Sequence, residues 1–229
     1  MTAAVIFDLD DTLYPERRFA LSGYAAVAHQ VELRYGMDRG EAFAHLRAAL
    51  RAGARASALQ RLVAAVGGGP DLVHELLAVY RTHRPRLRLP HAARRALEAA
   101  RQRWRVGVLT NGLPQVQRAK VDGLGLAPLV DAVVYAHEVS DGKPDPAAFR
   151  EICRALGVAP ERAVMAGDDP WCDIDGARAA GLWTVRVRRG PHRYVVAGST
   201  GPADETVLSV ADVPDAAARL LDAEVVHEV

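Results

Sequence analysis

Cysteine is nearly missing from this chain: Cys153 and Cys172 are the two thiols in 229 residues. Two are too few for a disulfide framework, and neither stands in a CxxC or Cys/His spacing that would hold zinc. A reducing, cytoplasmic setting is therefore expected. An excess of charge of one sign is missing as well, since 29 basic residues face 28 acidic ones for a formal net charge of +1. No global field draws the chain to nucleic acid or an anionic membrane, so any anion site must be local. Long apolar runs are absent. The opening Met-Thr-Ala-Ala-Val-Ile-Phe meets acid at Asp8 without a basic flank, and nothing is long enough to span a bilayer, so neither a secretory signal nor a membrane partner is expected. Low-complexity tracts and internal repeats are missing too, and the composition is that of a folded globular chain.

What is present is a rhythm. Five short apolar runs rich in strand formers stand at Ala4 to Leu9, Val106 to Leu109, Ala132 to Tyr135, Ala163 to Ala166 and Trp183 to Val187. Helical patterns separate or precede the last four, at Ala92 to Trp104, Pro114 to Leu124, Pro146 to Leu156 and Cys172 to Ala180. Such alternation implies right-handed crossovers and a doubly wound, mainly parallel α/β sheet of Rossmann-like type. Residues 17–88 break the rhythm with helical periodicity alone, at Phe19 to Tyr35, Glu41 to Ala52, Ser57 to Val66 and Leu72 to His83. The expected organisation is a catalytic core of residues 1–16 and 89–229 with an all-helical domain, residues 17–88, inserted after the first strand. The segment after Val187 is rich in glycine, proline and arginine, carries an apolar patch at Thr206 to Val210 and ends in a helix near Pro214 to Asp222, and no chemistry is assigned to it.

Ligands of open parallel sheets bind beyond the carboxyl ends of the strands, so polar residues there carry more weight than elsewhere. The first strand delivers Asp8, Asp10, Asp11 and Thr12, and the second Thr110 and Asn111. The third leads into Ser140-Asp141-Gly142-Lys143-Pro144, and the fourth ends in Gly167-Asp168-Asp169 with Asp173 behind it. If these loops converge, several carboxylates share one cleft. Two like charges ~4 Å apart at an effective dielectric of ~20 repel by ~4 kcal/mol, so a cation must sit among them. Hard carboxylate oxygens suit Mg²⁺, which also takes a substrate phosphate as ligand. Lys143 supplies further compensation and a contact to phosphate.

Four segments in order, Phe7-Asp8-Leu9-Asp10-Asp11-Thr12-Leu13-Tyr14, Leu109-Thr110-Asn111-Gly112, Gly142-Lys143-Pro144-Asp145-Pro146 and Gly167-Asp168-Asp169-Pro170-Trp171-Cys172-Asp173, resemble the motifs of the haloacid dehalogenase superfamily. The likeness runs from Ala4 to about Val187, and the helical insertion is similar to the cap that many of these enzymes carry. The resemblance implies that Asp8 is a nucleophile forming an aspartyl-phosphate and that Asp10 is first general acid, then general base. It implies Thr110, Asn111 and Lys143 as binders of the phosphoryl group, and Mg²⁺ held by Asp8, the Asp10 carbonyl, Asp168 and Asp173. The implied activity is hydrolysis of a small phosphorylated metabolite, a sugar phosphate or nucleotide, by a monomer or homodimer, with the helical domain setting selectivity. A phosphosugar mutase would use the same aspartates, and a noncatalytic binding protein could keep the same fold. A dehalogenase fits less well, because relatives with that chemistry generally lack the second aspartate.

Other acids have plainer expected uses. Asp11, Asp141, Asp145 and Asp175 read as caps and turns. Asp169 stands where a small hydroxyl residue is common, and three uses remain open for it: touching the metal, orienting Lys143 or capping the next helix. The arginines of the insertion and His29, His45, His74, His83 and His91 read as surface or packing residues.

Overall fold

The computed structural model describes residues 2–223. Met1 and the last residues of the expected core segment, 224–229, lie outside the described residues. In chain order the elements are β1 (Ala4–Phe7), α1 (Arg17–Tyr35), α2 (Arg39–Arg51), α3 (Ala58–Ala65), α4 (Pro70–Thr82), α5 (His91–Arg101), β2 (Arg105–Thr110), α6 (Pro114–Leu124), β3 (Ala132–Tyr135), α7 (Pro146–Leu156), β4 (Ala163–Gly167), α8 (Gly176–Ala179), β5 (Trp183–Val187), β6 (Glu205–Val207) and α9 (Val213–Ala223). The chain divides into two compact units, Met1–Glu16 with Arg88–Val229, and Arg17–Leu87.

The first unit is a doubly wound α/β sheet in the order β3-β2-β1-β4-β5-β6, parallel throughout. Its central strand is Ala-Val-Ile-Phe, buried at every position, as expected of a strand covered on both faces. Ala4 and Ile6 join Ala163 and Met165 in a core with Phe149 and Ile152 of α7 and Ala177 of α8. Val5, Phe7, Val164 and Ala166, of the other parity, are buried as well. The helix α7 shows how local sequence sets an element: the Asp145 side chain accepts from the Ala147 N–H, Pro146 opens the first turn, and Gly157 ends the helix at φ 68°. The second unit, α1 to α4, has its own core of Val27, Val31, Leu46, Leu62 and Leu76, among others. Among the described residues no helix is long and apolar enough to cross a membrane.

Three sequence expectations are corrected. The first strand stops at Phe7 rather than Leu9, because the backbone turns back there: Leu13 and Tyr14 donate to the Leu9 carbonyl. Asp8 and Asp10 therefore belong to a loop, and strand alternation is not what turns them toward one cleft. A sixth strand, β6, extends the sheet beside β5 and overlaps the start of the patch expected only to be apolar. The helix expected over Cys172 to Ala180 is a π-helical turn, Pro170–Asp175, followed by the short α8. Asp169 sets that turn, its side chain accepting from Trp171 and Cys172 while its carbonyl accepts from Asp173 and Ile174.

Candidate active site

The carboxyl ends of β1, β2 and β4 and the loop that follows β3 bring all seven expected site residues, Asp8, Asp10, Thr110, Asn111, Lys143, Asp168 and Asp173, to one cavity of about 220 Å³. Asp8 sits at the end of β1 with its N–H bonded to Ala166 O at 2.9 Å. Lys143 is buried at the centre. Its Nζ donates to Asp8 Oδ1 at 2.6 Å, to Asp173 Oδ1 at 2.6 Å and to the Leu109 carbonyl at 3.2 Å. All three ammonium hydrogens thus have acceptors, which is what permits a lysine to be buried at all. Asn111 holds the lysine from behind, donating to Lys143 O at 2.9 Å and accepting its N–H at 2.7 Å. Its amide oxygen and one amide hydrogen are thereby used on the loop backbone.

Asp173 reaches the cluster because the π turn aims it back over β4. Its Oδ2 accepts from the Asp169 N–H at 3.0 Å, and it lies so close to Gly167 that a Cβ there would stand 2.2 Å from Oδ2. Gly167→Ala is expected to push Asp173 out of place and to destabilise the protein by about 1–3 kcal/mol. A thermal-unfolding scan checks it: an unchanged midpoint would mean that Asp173 moves aside freely. Asp169, for which the sequence left three uses open, caps the π turn. Asp145 caps α7, and Asp175 accepts from Ser199 and Thr200 of the later loop.

The electrostatics of this cluster are unbalanced. Asp8, Asp168 and Asp173 are buried, and one carboxylate oxygen from each lies within 4.8 Å of the others. Burial, the neighbouring Asp8 and Asp173, and then Asp11 push Asp168 up to about 9. Burial also raises Asp8; the Lys143 ammonium opposes this, while Asp173 and Asp10 add to it. Burial disfavours the charge on Lys143, yet the facing Asp173 and Asp8 outweigh it and hold the ammonium above the usual lysine range. Three carboxylates against one ammonium leave a formal charge of −2. That deficit and an all-oxygen donor set fit one hard divalent cation.

Asp10 lies in a separate arrangement that the sequence did not announce. Tyr14 donates to its Oδ1 at 2.7 Å, and its Oδ2 accepts from Gln117 Nε2 at 2.9 Å and from Lys120 Nζ at 2.7 Å. Gln117 and Lys120 are buried on α6, and Gln117 also donates to Thr110 Oγ1 at 2.5 Å. The loop after β5, to which no chemistry was assigned, also returns to the cavity. Pro191 and His192 line it, with His192 Nδ1 3.5 Å from Asp168 Oδ2, and Arg189 donates to the Thr12 carbonyl. The i, i+3 spacing of Gln117 and Lys120 puts the two polar side chains on one face of α6, but that spacing does not tell an inward face from a solvated one.

Comparison with known proteins bears on this geometry. The family model of haloacid dehalogenase-like hydrolases matches residues 2–181. A glyceraldehyde 3-phosphate phosphatase of Methanopyrus kandleri is 31% identical over 202 residues, covering 84% of this chain and 87% of that one. A phosphoserine phosphatase of Thermus thermophilus is 45% identical over 125 residues, 54% of this chain, and the matched stretch spans half (50%) of that enzyme. Among solved structures, a 2-haloacid dehalogenase of Pseudomonas syringae pv. Tomato superposes with a TM-score of 0.67 at 27% identity, covering 96% of this chain and 99% of that one. The chain belongs to the haloacid dehalogenase-like hydrolase family. Within that family it is an enzyme of the phosphatase kind.

Proposed function

We propose that this enzyme hydrolyses a small phosphate monoester, a sugar phosphate or nucleotide, through an aspartyl-phosphate on Asp8. The observation that carries the reading is the buried Lys143 joined to both Asp8 and Asp173, with the separately held Asp10 two residues further along the same loop. Lys143 fixes Asp8 by one carboxylate oxygen, leaving Oδ2 as the nucleophile. Attack by Oδ2 on phosphorus forms the new P–O bond as the bond to the leaving oxygen breaks, and Asp10 gives that oxygen its proton. Asp10 then takes a proton from water as the water oxygen attacks phosphorus, and cleavage of the P–O bond to Asp8 releases inorganic phosphate. Lys143 and the Thr110 hydroxyl hold phosphoryl oxygens while charge shifts between them.

Asp8, Asp168, Asp173 and the Asp10 carbonyl would hold Mg²⁺, which when bound neutralises charge on the phosphoryl oxygens. The small size of the cavity supports a phosphoryl group as occupant. The activities named for the two phosphatase relatives, on glyceraldehyde 3-phosphate and on phosphoserine, support a small metabolite. Asp10 supports a phosphatase over a dehalogenase, since loss of halide needs no proton donor. A cytoplasmic setting and a monomer or homodimer belong to the same reading, the former supported by two cysteines that are both free thiols.

The test is phosphate release from a panel of phosphorylated metabolites and one aryl phosphate. With millimolar Mg²⁺ turnover is expected, and excess chelator is expected to reduce it at least about a hundredfold, with recovery on adding Mg²⁺ back. Full rate in chelator would overturn the metal assignment.

A further inference from the structure

The carboxylate of Asp10 has two oxygens with about two lone pairs each. Gln117 and Lys120 occupy both of those on Oδ2, whereas Tyr14 occupies one on Oδ1. Oδ1 therefore keeps acceptor capacity, and it is the atom left to carry a proton. The same Gln117 amide donates its second hydrogen to Thr110 Oγ1. With an acceptor site of Oγ1 taken in this way, the Thr110 hydroxyl hydrogen reaches the Asn111 carbonyl at 3.5 Å, a long contact that a phosphoryl oxygen in the adjoining cavity can replace.

We propose that Lys120 and Gln117 are positioning residues for this site: they hold Asp10 so that Oδ1 carries the proton exchanged with the leaving group and water, and Gln117 aims the Thr110 hydroxyl at the phosphoryl group. The inference rests on the reading of Asp10 as proton carrier. A second argument is burial. Lysine and glutamine are rarely enclosed, yet Lys120 is 4% exposed and Gln117 is 1% exposed, so each is retained in a place where an apolar residue would pack without desolvation. Both reach Asp10, and one reaches the threonine at the end of β2, so α6 ties the proton carrier to the phosphate-holding strand. Orientation at this level matters because a 1 Å misplacement of a reacting group is enough to lower a rate by about two orders of magnitude.

The test separates proton donation from phosphoryl transfer. Aryl phosphates from 4-nitrophenyl to 4-methoxyphenyl differ in how much the departing oxygen needs a proton, and phenol release is followed in single turnover with enzyme in excess and Mg²⁺ present. In the wild type the rate is expected to vary little across the series. Lys120→Met and Gln117→Leu are expected to steepen the dependence, with the loss on the 4-methoxyphenyl ester exceeding that on the 4-nitrophenyl ester at least about tenfold. Lys120→Arg, which restores a charged donor, is expected to recover part of the shallow dependence. A wild-type slope in the variants, or an equal loss on every ester, overturns the positioning role. If Lys120→Met does not fold, Gln117→Leu and Lys120→Arg read the same slope. Asp8→Asn is run alongside: phenol release at wild-type rate in that variant would overturn the aspartyl-phosphate reading itself, while a dead Asp8→Asn beside unchanged slopes would remove the positioning role alone.

Discussion

Phosphate release is expected to fall by at least about a thousandfold in Asp8→Asn, with the fold intact. The amide keeps the shape of the carboxylate, so Lys143 can still donate to Oδ1 and the end of β1 keeps its hydrogen bond to Ala166. What is lost, on the proposed mechanism, is the anionic oxygen that attacks phosphorus. Stability should move the other way. Asp8 is buried and raised by desolvation, and it faces Asp168 and Asp173, so replacing it with a neutral group removes both a desolvated acid and its repulsion with those neighbours. In metal-free protein the thermal midpoint is expected to stay level or rise. The two readouts together are diagnostic: turnover within tenfold of wild type would sink the nucleophile assignment, and a collapsed midpoint would show that Asp8 holds the fold rather than reacts.

Lys143→Met is expected to damage both properties at once. The lysine is the sole cation bonded to Asp8 and Asp173 among the described residues, and its removal leaves two buried carboxylates facing each other. Breaking a buried pair by deleting one partner costs about 3–5 kcal/mol, far more than loss of a surface pair. The rate should fall by about 10²–10³ because a fixed positive charge beside the phosphoryl oxygens disappears. Urea unfolding and kcat at saturating Mg²⁺ check the two parts. Stability within about 1 kcal/mol of wild type would show that the pair contributes little net energy, as some buried ion pairs do.

The sheet was largely legible in the sequence because its strands are buried on both faces and read as unbroken apolar runs, Ala-Val-Ile-Phe above all. β6 was not, since Glu205-Thr206-Val207 is three residues long and offers one buried side chain. The π turn escaped for a different reason. Nothing in the residue types of Pro170 to Asp175 tells a π turn from an α turn, and its extra width comes from the backbone carbonyl of Asp169 accepting from both Asp173 and Ile174.

Asp8 and Asp168 could be named from sequence because each follows directly on an apolar run, where the topology of a parallel sheet leaves little choice of location, whereas Lys143 and Asp173 lie further into their loops and were named from the order of the motifs. Gln117 and Lys120 could not, because polar residues within Pro-Gln-Val-Gln-Arg-Ala-Lys-Val look like the solvent side of an amphipathic helix. Only the tertiary fold shows that this face of α6 is turned inward toward Asp10. Pro191 and His192 lie in a loop whose composition suggests turns, and their return to the cavity depends on anchors such as Arg189 on Thr12 and Asp175 on Thr200. Long-range closure of that kind leaves no periodic trace.

The pairing of Asp10 with Lys120 has a consequence for how the enzyme manages its two currencies, ions and protons. That pair is formally neutral by itself, whereas Asp8, Asp168 and Asp173 with Lys143 carry −2. Arrival of a divalent cation would discharge the second group while leaving the first already balanced. On the proposed mechanism, the loop that begins at Asp8 thus joins two circuits two residues apart, one loading with metal and one ferrying hydrogen, and Asp10 couples them, since its charge helps to raise Asp8.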